Sequence, residues 1–203
     1  MSEPLPSLTV IRKTGSESLH HGNAVTPHSL LSFWQWSGSD LVSNVTRGRL
    51  AEFIVATALG VDTSGVRNEW DAFDLLTPGR IKIEVKSAAY VQTWHQERLS
   101  EIVWRVPATR AWNSATNTQS NELRRQADVY VLALLDHTDK PTIDPLNLDH
   151  WQFYVLPTSV LDARVRSQHS ITLNSVRDYS APVVYSNLAE EVERAARVQS
   201  GSG

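Results

Sequence analysis

The run at residues 127–135 (ADVYVLALL) limits the possible folds more than any other stretch of the chain. It is almost continuously apolar. A strand with no polar face must be buried on both sides, as happens at the centre of a sheet covered by helices. Residues 102–106 and 151–156 read as further strands and residues 171–173 as a short edge strand, while helices are expected upstream of residue 60 and again after residue 187. The expected class is therefore α/β, a mixed central β-sheet flanked by helices on both sides.

Ahead of that strand, residues 70–87 (WDAFDLLTPGRIKIEVKS) read as a β-hairpin. The runs 72–76 and 81–85 flank Pro78 and Gly79, the usual residues of a short hairpin loop. In the second run Ile81, Ile83 and Val85 face one way and Lys82, Glu84 and Lys86 the other, because strand side chains alternate. Phe73 and Leu75 share the apolar parity, so Asp74 falls on the polar side and Asp71 does not; parity favours Asp74. With a loop of Pro78, Gly79 and Arg80, Thr77 pairs with Ile81 and Asp74 stands opposite Glu84, with Cβ atoms ~5 Å apart. Two carboxylates that close repel each other unless a cation lies between them or one takes up a proton. Hard oxygen ligands of this kind are what Mg²⁺ uses.

An acidic residue on the first strand of a hairpin, followed by Glu84-Val85-Lys86 in IKIEVKSA on the second, resembles the motif of the PD-(D/E)XK nuclease superfamily, the restriction-endonuclease-like fold. Many members also carry a Glu on the preceding helix, and Glu52 in RGRLAEFIVATALG fits that place. The resemblance covers residues 40–92, and more loosely the strands to about residue 192. It departs in one respect, since Phe73 stands where a Pro often precedes the acidic residue. It implies a restriction-endonuclease-like core and a Mg²⁺-dependent endodeoxyribonuclease, with Mn²⁺ able to substitute. Asp74, Glu84 and Glu52 would hold the metal, together with the Val85 carbonyl, and Lys86 would orient or deprotonate the attacking water. The implied products are a 5′-phosphate and a 3′-hydroxyl. A solitary nuclease of this size looks like a restriction or phage-defence enzyme acting on double-stranded DNA as a homodimer. Two other readings stay open: a non-catalytic DNA-binding or assembly subunit with the same fold, and a repair or recombination nuclease acting on branched DNA or RNA.

Around the hairpin, residues 1–28 mix Pro, Ser, Gly and His without apolar periodicity and read as an arm, either flexible or docked on a partner. Residues 29–198 read as a single nuclease-like domain and residues 199–203 as a linker-like tail. A short helix is expected at residues 27–36, burying Leu30, Leu31, Phe33 and Trp34; this segment, with Trp36, is the candidate dimer contact. A longer helix is expected from Ser39 or Asp40 to Gly60, with Leu50, Phe53, Ile54, Thr57 and Ala58 in the core and Val45, Arg49, Glu52 and Ala56 on an adjacent stripe. Arg49 and Glu52 are then neighbours three apart, either a surface ion pair or an active-site Glu beside an Arg that reaches phosphate. Residues 107–122 read as a long polar loop, functional or mobile, whose Asn113, Asn117, Gln119 and Asn121 could pair with adenine edges. A helix is expected from Thr158 or Ser159 to about Arg166, and a last one opened by a capping box of Asn187 and Glu190.

The net charge of -3 argues against a protein that coats nucleic acid by bulk charge, but not against a local basic cleft. The phosphate candidates are the basic residues nearest the motif: Arg47 and Arg49 beside Glu52, Arg98 and Arg105 after the Glu84 strand, and Arg110, Arg124 and Arg125 around the polar loop. Gln92, just past the motif, is a further polar candidate. With no cysteine, thiolate zinc sites, a Cys nucleophile and a disulfide scaffold are excluded, and a cytoplasmic protein is expected. There is no run long enough to span a membrane, and no G-x-S-x-G, P-loop, G-x-G-x-x-G or H-E-x-x-H. His20 and His21 have no partner at ligand spacing.

Overall fold

A computed structural model describes residues 5, 7–113, 116–165 and 168–201 of the chain. It opens with a hairpin, β1 (Ser18–His21) and β2 (Ala24–Ser29), followed by α1 (Leu30–Gly38) and α2 (Asn44–Ala58). The motif hairpin is β3 (Leu75–Leu76) and β4 (Lys82–Ala89). Next come β5 (Val103–Arg105), a third hairpin of β6 (Thr109–Asn113) and β7 (Thr118–Arg124), then β8 (Val129–Leu135) and β9 (Trp151–Pro157). The chain ends with α3 (Thr158–Asp162), β10 (Ser170–Thr172), α4 (Leu173–Arg177) and α5 (Leu188–Ser200).

The central sheet has the order β3-β4-β8-β9, parallel between β4 and β8 and antiparallel elsewhere. Every residue of β8 is buried, as the unbroken apolar run requires. Val129, Val131, Ala133 and Leu135 pack with Ala51, Ile54 and Val55 of α2 and Leu188, Val192 and Ala195 of α5. Tyr130, Leu132 and Leu134 pack on the other side with Trp104, Leu161, Ile171, Leu173 and Val176, from β5, α3, β10 and α4. Each fully buried Leu or Val favours folding by about 1.5–3 kcal/mol, so this strand with its two covers is the main source of stability. The mixed α/β sheet flanked by helices is the class expected from the sequence.

Several elements differ from expectation. The arm at residues 1–28 contains the β1–β2 hairpin; residues 1–4 and 6 lie outside the described residues. In α1 no residue is buried, and Leu31, Phe33 and Trp34 are exposed rather than packed inside, as is Trp36 of the candidate dimer contact. The second helix starts at Asn44 because Asp40 caps a turn instead, its Oδ1 accepting from the backbone N–H groups of Val42 (3.2 Å) and Ser43 (3.0 Å). Of the expected core face of α2, Ile54 is buried and Leu50 and Ala58 pack against the core, while Phe53 and Thr57 are exposed; Arg47, Ala51, Val55 and Ala56 are buried as well. The polar stretch at 107–122 is largely the β6–β7 hairpin, turning through Asn117 in the left-handed region (φ 53°), with residues 114–115 outside the described set. Helix α3 ends at Asp162, and Arg166, its expected end, lies outside that set, as do 202–203 of the tail. Asn187 precedes α5 without a side-chain cap, so the expected capping box does not form.

Candidate active site

The motif hairpin turns as its residues dictate. Arg80 N–H donates to the Thr77 carbonyl (2.9 Å) and Arg80 adopts φ 66°, the three-residue loop in which a turn is followed by a left-handed residue. Thr77 N–H donates to the Ile81 carbonyl (3.0 Å), and Leu75 pairs with Ile83 and Leu76 with Lys82. That register, continued by Asp74 N–H donating to the Ile83 carbonyl (3.0 Å), sets Asp74 opposite Glu84. There the regular pairing stops. The Val85 N–H is taken by Asp74 Oδ2 at 2.8 Å rather than by a strand carbonyl, so the Asp74 carboxylate closes the edge of β4. Asp71, three residues back, is exposed. The parity assigned to Phe73 does not hold, because the strand ends before it: Phe73 packs with the Trp104–Tyr130 layer and lies 5.8 Å from Lys82 Nζ.

Glu84 and Lys86 lie on the Tyr130 side of the sheet, Glu84 in register with Tyr130 of β8. Farther along β4 this side is filled by apolar residues. At Glu84 and Lys86 it opens into a cavity of about 300 Å³ that Tyr130, Arg105 and Thr109 also line. Glu52 and Asp74 line a pocket of about 370 Å³ together with Arg67 and Asp71. Lys86 Nζ donates to Glu84, and Arg67 Nε donates to Glu52 while its Nη2 lies 3.7 Å from Asp74 Oδ1. Burial and the neighbouring Asp74 charge push the Glu84 carboxyl above its ordinary range despite Lys86. Burial likewise raises Glu52, with the Arg67 bond opposing. Burial pulls Lys86 down, but Glu84, Asp74 and Glu52 together outweigh it and hold the ammonium above its usual value. Glu52, Asp74, Glu84 and Lys86 thus form one electrostatic unit. Burial, followed by the Glu84 charge, also drives the Tyr130 hydroxyl up.

Among the described residues no three acidic or histidine side chains already converge as a metal cage. The donor chemistry nevertheless fits a hard divalent cation. Glu52 and Glu84 have raised proton affinities, and with Asp74 they supply carboxylate oxygens, each held by a cation of the chain itself, Arg67 or Lys86.

Of the proposed phosphate ligands, three are corrected by burial. Arg47 is enclosed, donating to the Val42 carbonyl (2.7 Å), Asn44 Oδ1 (2.8 Å) and Gln92 Oε1 (3.5 Å), and desolvation lowers its pKa. Gln92 is buried with it and donates to the Ala89 carbonyl (3.0 Å). Arg125 is buried against the Val106 carbonyl (2.9 Å), the Gln168 carbonyl (2.7 Å) and Asp162. These three fasten α2, β4 and the α3 region and present no free donor face to a strand of nucleic acid. Arg49 is exposed but pairs with Glu69 at 2.8 Å, not with Glu52. Arg105 reaches the Glu84 cavity. Arg98 is exposed, as are Arg110 and Arg124 on the β6–β7 hairpin, where Arg124 lies 3.3 Å from Glu122. Two members of the site were not anticipated. Tyr130 is hidden in an apolar run, and only its pairing with Glu84 would have marked it. Arg67 sits in a connector with no periodic signal at all.

A mixed sheet flanked by helices, with Glu84 and Lys86 at one cavity and Glu52 and Asp74 at another, is consistent with an α/β nuclease-like core. Residues 9–175 match the family model of bacteriophage T4 endonuclease IV, and with most of the chain matched the protein belongs to that endonuclease family. The matched span includes Glu52, Arg67, Asp74, Glu84 and Lys86. No curated protein matches the sequence. Among the described residues no helix is long and apolar enough to cross a membrane.

Proposed function

We propose that the protein is a cytoplasmic, Mg²⁺-dependent endodeoxyribonuclease with a PD-(D/E)XK-type site, of restriction or phage-defence type. The observation that carries this reading is the meeting of Glu52, Asp74, Glu84 and Lys86 at the end of one hairpin, in the register that puts Asp74 opposite Glu84. Family membership supplies the endonuclease class. Asp74 and Glu84, with Glu52 and the Val85 carbonyl, would hold the divalent ion, Mg²⁺ or Mn²⁺. When bound, such an ion supplies Lewis-acid charge at the phosphate and a more acidic water.

The side chains of the chain supply positioning and charge. The acidic neighbours of Lys86 hold its proton affinity above the usual range, and Lys86 would orient or deprotonate the attacking water and offset phosphate charge. Asp74 is fixed by the Val85 N–H, which leaves its Oδ1 toward Arg67. Arg105, which lines the same cavity as Glu84 and Lys86, would bind a flanking phosphate.

Incubating the protein with plasmid, linear, single-stranded and branched DNA, each with Mg²⁺, Mn²⁺ or EDTA, tests the proposal. Cleavage that needs either metal and vanishes in EDTA is expected. Equal cleavage in EDTA, or four intact substrates in both metals, overturns it.

A further inference from the structure

Arg67 is a cation that no motif anticipates, yet it is bound into the middle of the site. Its Nε bonds Glu52, its Nη2 lies 3.7 Å from Asp74 Oδ1, and its Nη1 lies 3.8 Å from Glu69 Oε1. It comes from the connector between α2 and β3, where neither helix nor strand fixes the backbone. Its side chain is 37% exposed, whereas those of Glu52 and Asp74 are 14% and 17% exposed. A guanidinium on two mostly buried carboxylates offsets the repulsion that a divalent cation would offset there. The Arg67 guanidinium and a metal therefore compete for the same oxygens.

The surroundings give Arg67 somewhere else to go. Glu69 is already near it and is tied to the exposed Arg49 at 2.8 Å. Arg67 also lines two spaces at once: the pocket of Glu52 and Asp74, and a groove of about 1110 Å³ walled by Trp34, Trp70, Trp112 and Arg49. It stands at the boundary between the carboxylates and this tryptophan-lined groove.

We propose that Arg67 is the built-in counter-ion of the site: it occupies Glu52 and Asp74 in competition with the divalent cation and, once displaced, binds a phosphate of the substrate in the adjoining groove. This rests on the metal-dependent nuclease reading. It makes metal and DNA binding mutually reinforcing, since a phosphate that draws Arg67 away frees oxygens for the metal, and such coupling is reciprocal.

Three measurements test it. Calorimetric titration of DNA-free protein with Mg²⁺ should show Arg67→Gln binding roughly tenfold tighter than wild type, the scale of one lost charge-assisted hydrogen bond, with Arg67→Lys near wild type. A merely structural Arg67 would give the opposite, weaker binding in Arg67→Gln. In a Lys86→Ala background, which removes cleavage, adding Arg67→Gln should flatten the salt dependence of DNA binding in Mg²⁺ by ~0.7–0.9 of a log-log unit, one phosphate contact. In the wild-type protein, independently of any variant's folding, the Arg67 Nε–H resonance should shift on adding Mg²⁺. If wild type binds Mg²⁺ and cleaves DNA but that resonance stays fixed, or Arg67→Gln binds Mg²⁺ no tighter, the counter-ion role is overturned and the nuclease reading stands. If wild type neither binds Mg²⁺ nor cleaves, both fall.

Discussion

At the scale of single residues, the site combines groups whose charges are costly apart and tolerable together. Asp74→Ala, Glu84→Ala and Lys86→Ala should each lower cleavage by about 10²–10³ or more, the usual effect of removing one preorganised electrostatic partner, whereas Asp71→Ala should cut normally. A dead Asp71 variant beside an active Asp74 variant would show the register argument to be wrong. Glu84 carries a second expectation. Because burial and Asp74 raise its folded pKa above the ordinary 4.5, the folded state holds this proton more tightly than the unfolded one. The resulting stability is fully present below the unfolded pKa and is lost as pH rises through the folded pKa. Glu84→Gln should therefore melt higher than wild type at pH 7 in EDTA, with the advantage gone by about pH 4; a lower melting temperature at pH 7 would contradict it. Arg47 behaves differently. Arg47→Ala strands the Val42 carbonyl and Gln92, so it should cost roughly 1–3 kcal/mol in denaturant melts while leaving the salt slope of DNA binding unchanged.

At the scale of elements, the β6–β7 hairpin and β8 make a direct contrast. β7 is exposed along its whole length and β6 along most of it, while β8 is buried on both faces. Trp112 joins the hairpin to the site connector through an edge-to-face contact with Trp70, ring centres 5.3 Å apart, but little apolar area holds it. Local opening should be easy there, so its amides should exchange with deuterium orders of magnitude faster than those of β8; equal protection would refute the packing argument. The same contrast explains what was legible in the sequence. An unbroken apolar run has one outcome, and the Thr77–Ile81 register followed from the residues of a three-residue loop, so the central strand and the Asp74–Glu84 pair could be read directly, whereas the expected strands β5 and β10 pair with each other in a separate sheet. The face of α2 could not. Its fully buried residues are Ala51 and Val55, which the expected period does not single out, and although Leu50, Ile54 and Ala58 of that period do pack on the core, Phe53 is exposed. Arg47, Gln92 and Arg125 were misplaced for a related reason, since nearness in sequence to the motif does not reveal which arginines the fold encloses. Arg67 reaches the site only through the path of an irregular connector, which carries no pattern to read.

At the scale of the whole molecule, α1 is the feature the rest of the chain leaves unsatisfied. It has no buried residue, and Leu31, Phe33, Trp34 and Trp36 are exposed, Trp36 by 84%. The sequence pattern alone would have put most of these inside. Clustered exposed aromatics on a short helix are the kind of patch that marks an interaction surface, and their covering by a second copy of the same helix would suit the proposed cleavage of both strands of a duplex by one site per chain. Two-fold symmetry would also match the symmetry of a palindromic target. A homodimer through α1 is therefore expected, and light scattering should give about twice the chain mass of 22.7 kDa. Trp36→Asp together with Phe33→Asp should return the mass to that of one chain. Because neither residue touches Glu52, Asp74, Glu84 or Lys86, the double variant should still nick one strand of plasmid while linear product falls by about tenfold or more, the consequence of two independent encounters replacing one. A wild-type chain that is monomeric at working concentration, with double-strand cleavage first order in monomer, would remove the dimer and leave α1 to some other partner.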